Sequence, residues 1–433
     1  MVSASLLYSQ VYGQMEKKHN GMEWMILKKT ERVSSREREL VKEVLDGQFS
    51  SSATYNMVTR LEKSFAQRFG VKHAIAMVNG TATLHMALEA AGVGIGDEVI
   101  CPPLTMSSTS LAVLQANAVP VFADVDEDTF LITAADIRRK ITDKTKAVIT
   151  VSLYGLSPQM DEIVELAHQN GIVVIEDNAQ CFLGKHNGKI VGTFGDMASF
   201  SFQSSKHMTS GEGGIVITND DSYALKLRRY SGLGYAGINI NKGRITKDDI
   251  QDPGYERHVT LGWNYRMSDL CAAVALAQLE RLDELVGVRI QSAKHFLAAS
   301  YGCKWLVPQR VAEGDVHTYW AFVLKLDINK VSWHRFREKY MGFGGDGIYG
   351  AWKLSYQEPA FRDKNFLNRE KLPQYNYYSY ENGLCPVAEL LQPCLLQFKT
   401  NYWDERQAAR QAEILQQTIS FFEKEIMLGE KCQ

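Results

Sequence analysis

The sequence predicts an α/β protein, with a large, mostly parallel sheet covered by helices on both faces and a smaller C-terminal α+β region. Three observations carry that expectation. Between residue 74 and about residue 285, short β-rich runs alternate with helical runs. The β-rich runs are continuously apolar instead of alternating with polar residues, as strands buried on both faces must be. Beyond about residue 290 the alternation stops and a less regular, aromatic-rich pattern replaces it.

In chain order, residues 1–30 are polar and mildly helical and read as an N-terminal lead. Their short apolar run has no basic stretch ahead of it, so no secretory signal is expected. The segment ERVSSRERELVKEVLDG predicts a helix ending at Gly47, a residue suited to a helix C-cap. A second helix is expected from Asn56 to Phe69, with Met57, Leu61, Phe65 and Phe69 at helical spacing. The alternating block follows. AIAMV precedes TATLHMALEAAG, EVICPP precedes STSLAVLQANA, and VPVFADV stands alone. KAVITVSLY precedes MDEIVELAHQNG, IVVIEDNA and ASFSF follow, and GIVITND precedes SYALKLRRYSG. Residues 235–260 read as a polar loop before the helix SDLCAAVALAQLERLDELV. After it come a strand in YWAFVLKL, a helix near WHRFREKY, a long aromatic-rich stretch over 345–403 and a final helix. The expected division is a lead over 1–30, a large α/β domain over 31–290 and a small α+β domain over 291–433.

Composition narrows the function. The chain of 433 residues carries a net charge of only -2, which argues against a protein built around nucleic-acid phosphates. No apolar stretch approaches the roughly 20 residues a membrane-spanning helix needs. Seven cysteines, at 101, 181, 271, 303, 385, 394 and 432, form no CxxC pair. Neither a disulfide framework nor a metal site is expected, and the thiols read as small apolar residues in a reducing, cytoplasmic compartment.

Three places could carry chemistry. Asp177 follows GIVVIE and so stands at the carboxyl end of a buried strand, the edge at which open α/β sheets bind ligands. A carboxylate there can be a metal ligand, a base, a partner for a protonated ring nitrogen, or simply a helix cap. Lys206 lies in SFSFQSSKHMTSGEGG, between a β-rich run and a glycine cluster. Most lysines are solvated surface charges, but partial desolvation at such a turn would lower the pKa and make the amine a nucleophile. Ser201, five residues earlier, could reach the same cavity, although alone it reads as a strand serine. Asn79, Gly80 and Thr81 stand between a strand and a helix, where the first helical amides and the Thr81 hydroxyl could seat an anion. An anion seat, a strand-end carboxylate and a lysine in a buried turn form the set that pyridoxal phosphate needs for its phosphate, ring nitrogen and aldehyde.

These motifs resemble the DegT/StrS-type pyridoxal-phosphate sugar aminotransferases, which have the aspartate aminotransferase fold (fold type I). The matching residues are VNGTATLHMAL, GDEVICPPLT, VPVFADVDEDTF, VSLYGLSPQMDEI, VIEDNAQ, GTFGDMASFSFQSSKHMTSGEGGIVITND and LGWNYRMSDLCAAVALAQLERL. The resemblance is strong over residues 45–290 and looser beyond. VNGTATLHMAL, HTYW at 317–320 and GWNYRMSDLCAA are similar to perosamine-synthase-like members. By position, the resemblance implies that Lys206 bonds the cofactor aldehyde and shuttles protons, and that Asp177 pairs with the ring nitrogen. It places Gln180 beside the ring and gives Gly80, Thr81 and Ser201 the phosphate. It has Asn264 reach the phosphate of a neighbouring subunit in a homodimer with shared sites. Met106 stands where the family usually stacks an aromatic residue on the cofactor, and Ser152 where it often has histidine. Cys271 and Ala275 replace a common glutamine and glycine, and the stretch 345–403 fits only loosely.

The resemblance implies transfer of an amino group from glutamate or glutamine to a nucleotide-linked keto-sugar in amino-sugar biosynthesis. A cyclitol or aminobenzoate branch, and a catalytically silent regulator or scaffold, are the alternatives. The related sugar 3-dehydratases carry histidine in place of the lysine, and this chain keeps Lys206.

Overall fold

Continuous burial makes the central strands. In chain order they are β1 (His73–Met77), β2 (Glu98–Cys101), β3 (Val119–Phe122), β4 (Thr145–Val151) and β5 (Val173–Asp177). A small hairpin of β6 (Lys185–His186) and β7 (Lys189–Ile190) follows, then β8 (Met197–Ser201) and β9 (Gly214–Thr218). The structure is a computed structural model that describes residues 29–49, 56–240 and 251–430. The lead expected over 1–30 lies almost wholly outside the described residues, as does part of the loop expected over 235–260.

Seven strands pair in the order β1-β9-β8-β5-β4-β2-β3. The pairs β2–β3, β2–β4, β4–β5 and β5–β8 are parallel, whereas β9 runs antiparallel to both β1 and β8. β1 therefore points the same way as the parallel set, and the carboxyl ends of β1, β2, β4, β5 and β8 share one edge. Adjacent residues of β4 enter different cores, Ile149 on one face and Val148 on the other, so both faces are covered as the apolar runs require.

The first two helices form where the pattern puts them. Ser35–Asp46 opens with a capping box between Ser34 and Glu37 and ends at Gly47. Met57–Phe69 is capped by the Asn56 side chain and ends at Gly70, whose φ of 68° suits glycine. Its Phe65 stacks on Phe69 at 4.5 Å and meets Phe200 of β8 at 5.3 Å, which fixes the helix on the sheet.

A second, antiparallel sheet follows, with β10 (Leu306–Pro308), β11 (Ala321–Leu326), β12 (Tyr349–Gly350) and β13 (Leu395–Lys399) in the order β10-β11-β13-β12. The strand expected in YWAFVLKL is β11, and the helix expected near WHRFREKY is Trp333–Gly342. The helix Leu282–Ser300 runs across residue 290 and packs against the final helix, Glu405–Glu430. The aromatic stretch divides its contacts between the two sheets. Its ends supply β12 and β13, but its middle covers β3, the edge strand of the large sheet. Tyr356 lies 5.3 Å from Phe122, Tyr375 Oη donates to Ala118 O at 2.8 Å, and Asp124 accepts the N–H groups of Val387 and Ala388 at 2.9 Å.

Candidate active site

The shared edge of the large sheet gathers most of the residues singled out from the sequence. Asp177 closes β5, in register with Val151 of β4 and Ser199 of β8, and is 5% exposed. Its Oδ2 accepts the Thr109 hydroxyl at 2.9 Å and its Oδ1 accepts the Ala179 N–H at 3.2 Å. Burial pushes its pKa up, and this outweighs the lowering by those two hydrogen bonds and by Lys206.

Lys206 sits in a turn whose base is closed by short bonds. Phe202 N–H donates to Gly213 O at 2.8 Å, Ser210 N–H to Phe202 O at 3.0 Å, and Lys206 N–H to Gln203 O at 2.9 Å. The lysine is 9% exposed, so it is not the usual solvated charge. Burial lowers its pKa to about 8, against the pull of Asp177 and Glu212 and with the help of the Arg289 charge. Its Nζ lies 4.9 Å from the centroid of the Trp320 ring.

The anion seat forms where helix Gly80–Ala90 meets the end of β8. Asn79 caps the helix by accepting Ala82 N–H at 2.8 Å, which leaves the Gly80 and Thr81 amides in the first turn with no acceptor inside the helix. A Cβ on Gly80 would lie 2.9 Å from Ser201 Cβ and 3.2 Å from Ser201 Oγ. Glycine is thus required for this helix start to come so close to the serine. The Thr81 hydroxyl donates to Ser108 Oγ at 3.1 Å. Two first-turn amides and the hydroxyls of Thr81 and Ser201 make a donor set suited to a phosphate ester.

Gln180 is buried three residues past Asp177, and its Oε1 accepts the Tyr154 N–H at 2.8 Å. Tyr154, just past β4, adopts φ 63°, a strained conformation for a bulky residue, with its phenol buried and unpaired. Ser152 donates to Asn178 Oδ1 at 2.7 Å. Met106 follows β2 and is 48% exposed at the same edge, a large apolar side chain left uncovered. Asn264 is exposed on an isolated bridge to Gly232, and no hydrogen bond joins it to this cluster among the described residues. Its segment runs beside the end of β1, where Val78 N–H donates to Tyr265 O at 2.9 Å.

Sequence reasoning missed Thr109, Trp320 and Arg289. Trp320 lay within the HTYW motif but carried no local signal of its contact with Lys206. Thr109 had no signal at all, because its partner lies in another strand–helix unit. The cysteines, read as small apolar residues, divide, since Cys271, Cys303 and Cys394 are only half-buried and Cys432 lies outside the described residues. Cys101, Cys181 and Cys385 are free and buried, and burial pushes the Cys181 thiol up to about 12.

Comparison with known proteins places this geometry in a family. The profile described as the DegT/DnrJ/EryC1/StrS aminotransferase family matches residues 31–393. A GDP-perosamine synthase of Escherichia coli O157:H7 is 40% identical over 291 residues, covering 66% of this chain and 74% of that one. A spore coat polysaccharide biosynthesis protein of Bacillus subtilis is 36% identical over 276 residues, covering 63% of this chain and 69% of that one. Among solved structures, an aminotransferase from Psychrobacter cryohalolentis superposes with a TM-score of 0.80 at 29% identity, covering 92% of this chain and 100% of that one. The α/β architecture read from the sequence is the fold of these aminotransferases.

The close approach at Gly80 is open to test. Gly80→Ala places a methyl group against Ser201, so strand or helix must shift, at a cost of about 1–3 kcal/mol. The variant should melt at lower temperature and bind phosphate-bearing ligands more weakly, measured by thermal unfolding with and without pyridoxal phosphate. Unchanged melting and unchanged stabilisation by the ligand would show that the seat is elsewhere.

Proposed function

Because the chain belongs to the DegT/DnrJ/EryC1/StrS aminotransferase family, we propose that it is a pyridoxal-phosphate enzyme transferring an amino group to a nucleotide-linked keto-sugar. The donor is glutamate or glutamine, and the product is an amino-sugar for polysaccharide synthesis. The observation that carries this reading is a buried amine, Lys206, set at the same sheet edge as a buried carboxylate and a phosphate-sized donor set. Similarity to a GDP-perosamine synthase and to a spore coat polysaccharide biosynthesis protein supports the substrate class.

The residues fit the cofactor. Gly80, Thr81 and Ser201 would hold its phosphate, Asp177 its ring nitrogen and Lys206 its aldehyde, with Gln180 and Met106 beside the ring. When bound, pyridoxal phosphate supplies an aldehyde that carries the amino group and a protonated ring that draws electrons from the neighbouring carbon. Asp177 keeps a proton on the ring nitrogen, and Thr109 and the Ala179 N–H hold the carboxylate in place for that task. Lys206, with its pKa brought down to about 8, is neutral in about a tenth of molecules at pH 7, far more than an ordinary lysine. It can therefore take a proton from the α-carbon of the amino donor and return it during transfer to the acceptor. The Trp320 ring lies beside the amine, 4.9 Å from its nitrogen.

The chain reads as a large cofactor-binding unit over 31–290 and a smaller one over 291–433, working in the cytoplasm as a homodimer. No described helix is long and apolar enough to cross a membrane. Asn264 is exposed and its side chain makes no hydrogen bond among the described residues, which suits a contact made to a second subunit.

Two experiments test the reading. Borohydride reduction of the protein loaded with pyridoxal phosphate, followed by peptide mapping, should place the label on Lys206. Lys206→Ala should cost about a thousandfold or more in transamination while the chain still folds. A label on another lysine sinks the assignment. For the shared site, Lys206→Ala and Asn264→Ala chains should regain part of the native activity when mixed under subunit exchange. Exchange without any recovery, with each variant inactive alone, would place Asn264 within its own chain's site.

A further inference from the structure

Arg289, on the helix Leu282–Ser300, is 2% exposed, and no carboxylate is among its hydrogen-bond partners. Its Nη1 donates to Trp320 O at 2.8 Å and Thr400 Oγ1 at 3.3 Å. Its Nη2 donates to Ser205 O at 2.7 Å and Lys206 O at 3.1 Å, while Nε has no partner. A buried guanidinium is expensive even when paired with an opposite charge, and here only neutral oxygens compensate it. Well-packed apolar residues would serve the fold as well or better. The reason for the charge therefore has to be sought in what surrounds it.

Those surroundings all border Lys206. Two acceptors are the carbonyls of the lysine and the residue before it. Trp320 carries the third, lies beside the lysine amine at 4.9 Å, and its indole N–H donates to the same Ser205 O at 2.9 Å. The fourth, Thr400, donates in turn to Tyr319 O at 2.6 Å, the residue before Trp320, and stands just past β13. One side chain thus ties the lysine turn of the large sheet to two places on the small sheet. The planar fork of arginine suits this, because one rigid group serves two oxygen acceptors on each side.

We propose that Arg289 is the positioning residue for Lys206, fixing its main chain through the guanidinium fork and placing a positive charge beside its turn. The consequence for catalysis rests on the reading of Lys206 given above, but the contact between the two residues does not. Other charges act on the pair. Asp177 from β5 and Glu212 from the glycine loop favour the ammonium form of Lys206, and burial and Arg289 oppose it. Arg32 faces Arg289, and burial holds the adjoining His207 neutral.

The test is competitive trace acetylation of the full-length chain freed of cofactor, with each lysine quantified by peptide mass spectrometry across pH. In the native chain Lys206 should label with a midpoint near pH 8. In Arg289→Met the opposing charge is gone and the midpoint should move up. Arg289→Lys keeps a charge but loses the fork, so its midpoint should stay near the native one. Capture of pyridoxal phosphate at Lys206 in that variant, followed by absorbance, should slow about tenfold, on the order of one lost hydrogen bond to a charged group. A merely structural arginine would lower the melting temperature of both variants and leave midpoint and capture rate alone, which would overturn the proposal. If Arg289→Met does not fold, Arg289→Lys decides by its capture rate. Failure of the functional reading is distinct, because a borohydride label away from Lys206 refutes that reading while the acetylation midpoints still report on the Arg289–Lys206 pair.

Discussion

A carboxylate and an amine, both taken out of water at one edge of a sheet, set the terms for the rest of this molecule. Burial disfavours the ionic form of each, and each favours the ionic form of the other. Neither could be kept alone at that depth without a large penalty. The surrounding structure supplies what the pair lacks. Thr109 and the Ala179 N–H satisfy the two oxygens of Asp177, and Trp320 and Arg289 border the lysine. The result is a lysine that gives up its proton more readily than lysines do in water, beside an acid that burial makes reluctant to ionise. Such a lysine suits an enzyme that must move a proton, and a cationic partner such as a protonated ring nitrogen would return the acid to its ionised form.

The fold explains why these groups meet. Six strands end at one edge, and five of them contribute through the residues that follow. β1 leads into Gly80 and Thr81, β2 into Met106 and Thr109, and β4 into Tyr154. β5 ends in Asp177 with Gln180 just beyond, and β8 ends in Ser201 and leads to Lys206. The antiparallel β9 keeps this geometry closed on one side, because Gly214 lets β9 pack against Asn79 without a clashing Cβ. The second sheet acts on the same edge from outside, through Trp320 and Thr400.

Much of this was legible in the sequence because it is written locally. Strands buried on both faces are continuously apolar, so β1, β2, β4, β5 and β9 announce themselves. The helix caps at Asn56 and Gly47 also show in composition. Asp177 and Lys206 were found because each stands next to a strand end or a glycine cluster. What escaped depends on contacts between distant segments. Thr109 reaches Asp177 across 68 positions. Arg289 looks like any charge on an amphipathic helix until residues 31 and 111 positions away close over it. The aromatic stretch over 345–403 has no local period, because its rings are spaced by the edge strand they cover.

The central claim is that Asp177 holds a proton on the cofactor ring, and one measurement reads it directly. The protein loaded with pyridoxal phosphate labelled with nitrogen-15 in its ring would report, by its nitrogen chemical shift at neutral pH, whether that nitrogen carries a proton. The account predicts a protonated nitrogen in the native chain and an unprotonated one in Asp177→Asn, with the cofactor still bound in both. An unprotonated nitrogen in the native chain, or the same shift in both proteins, would contradict it.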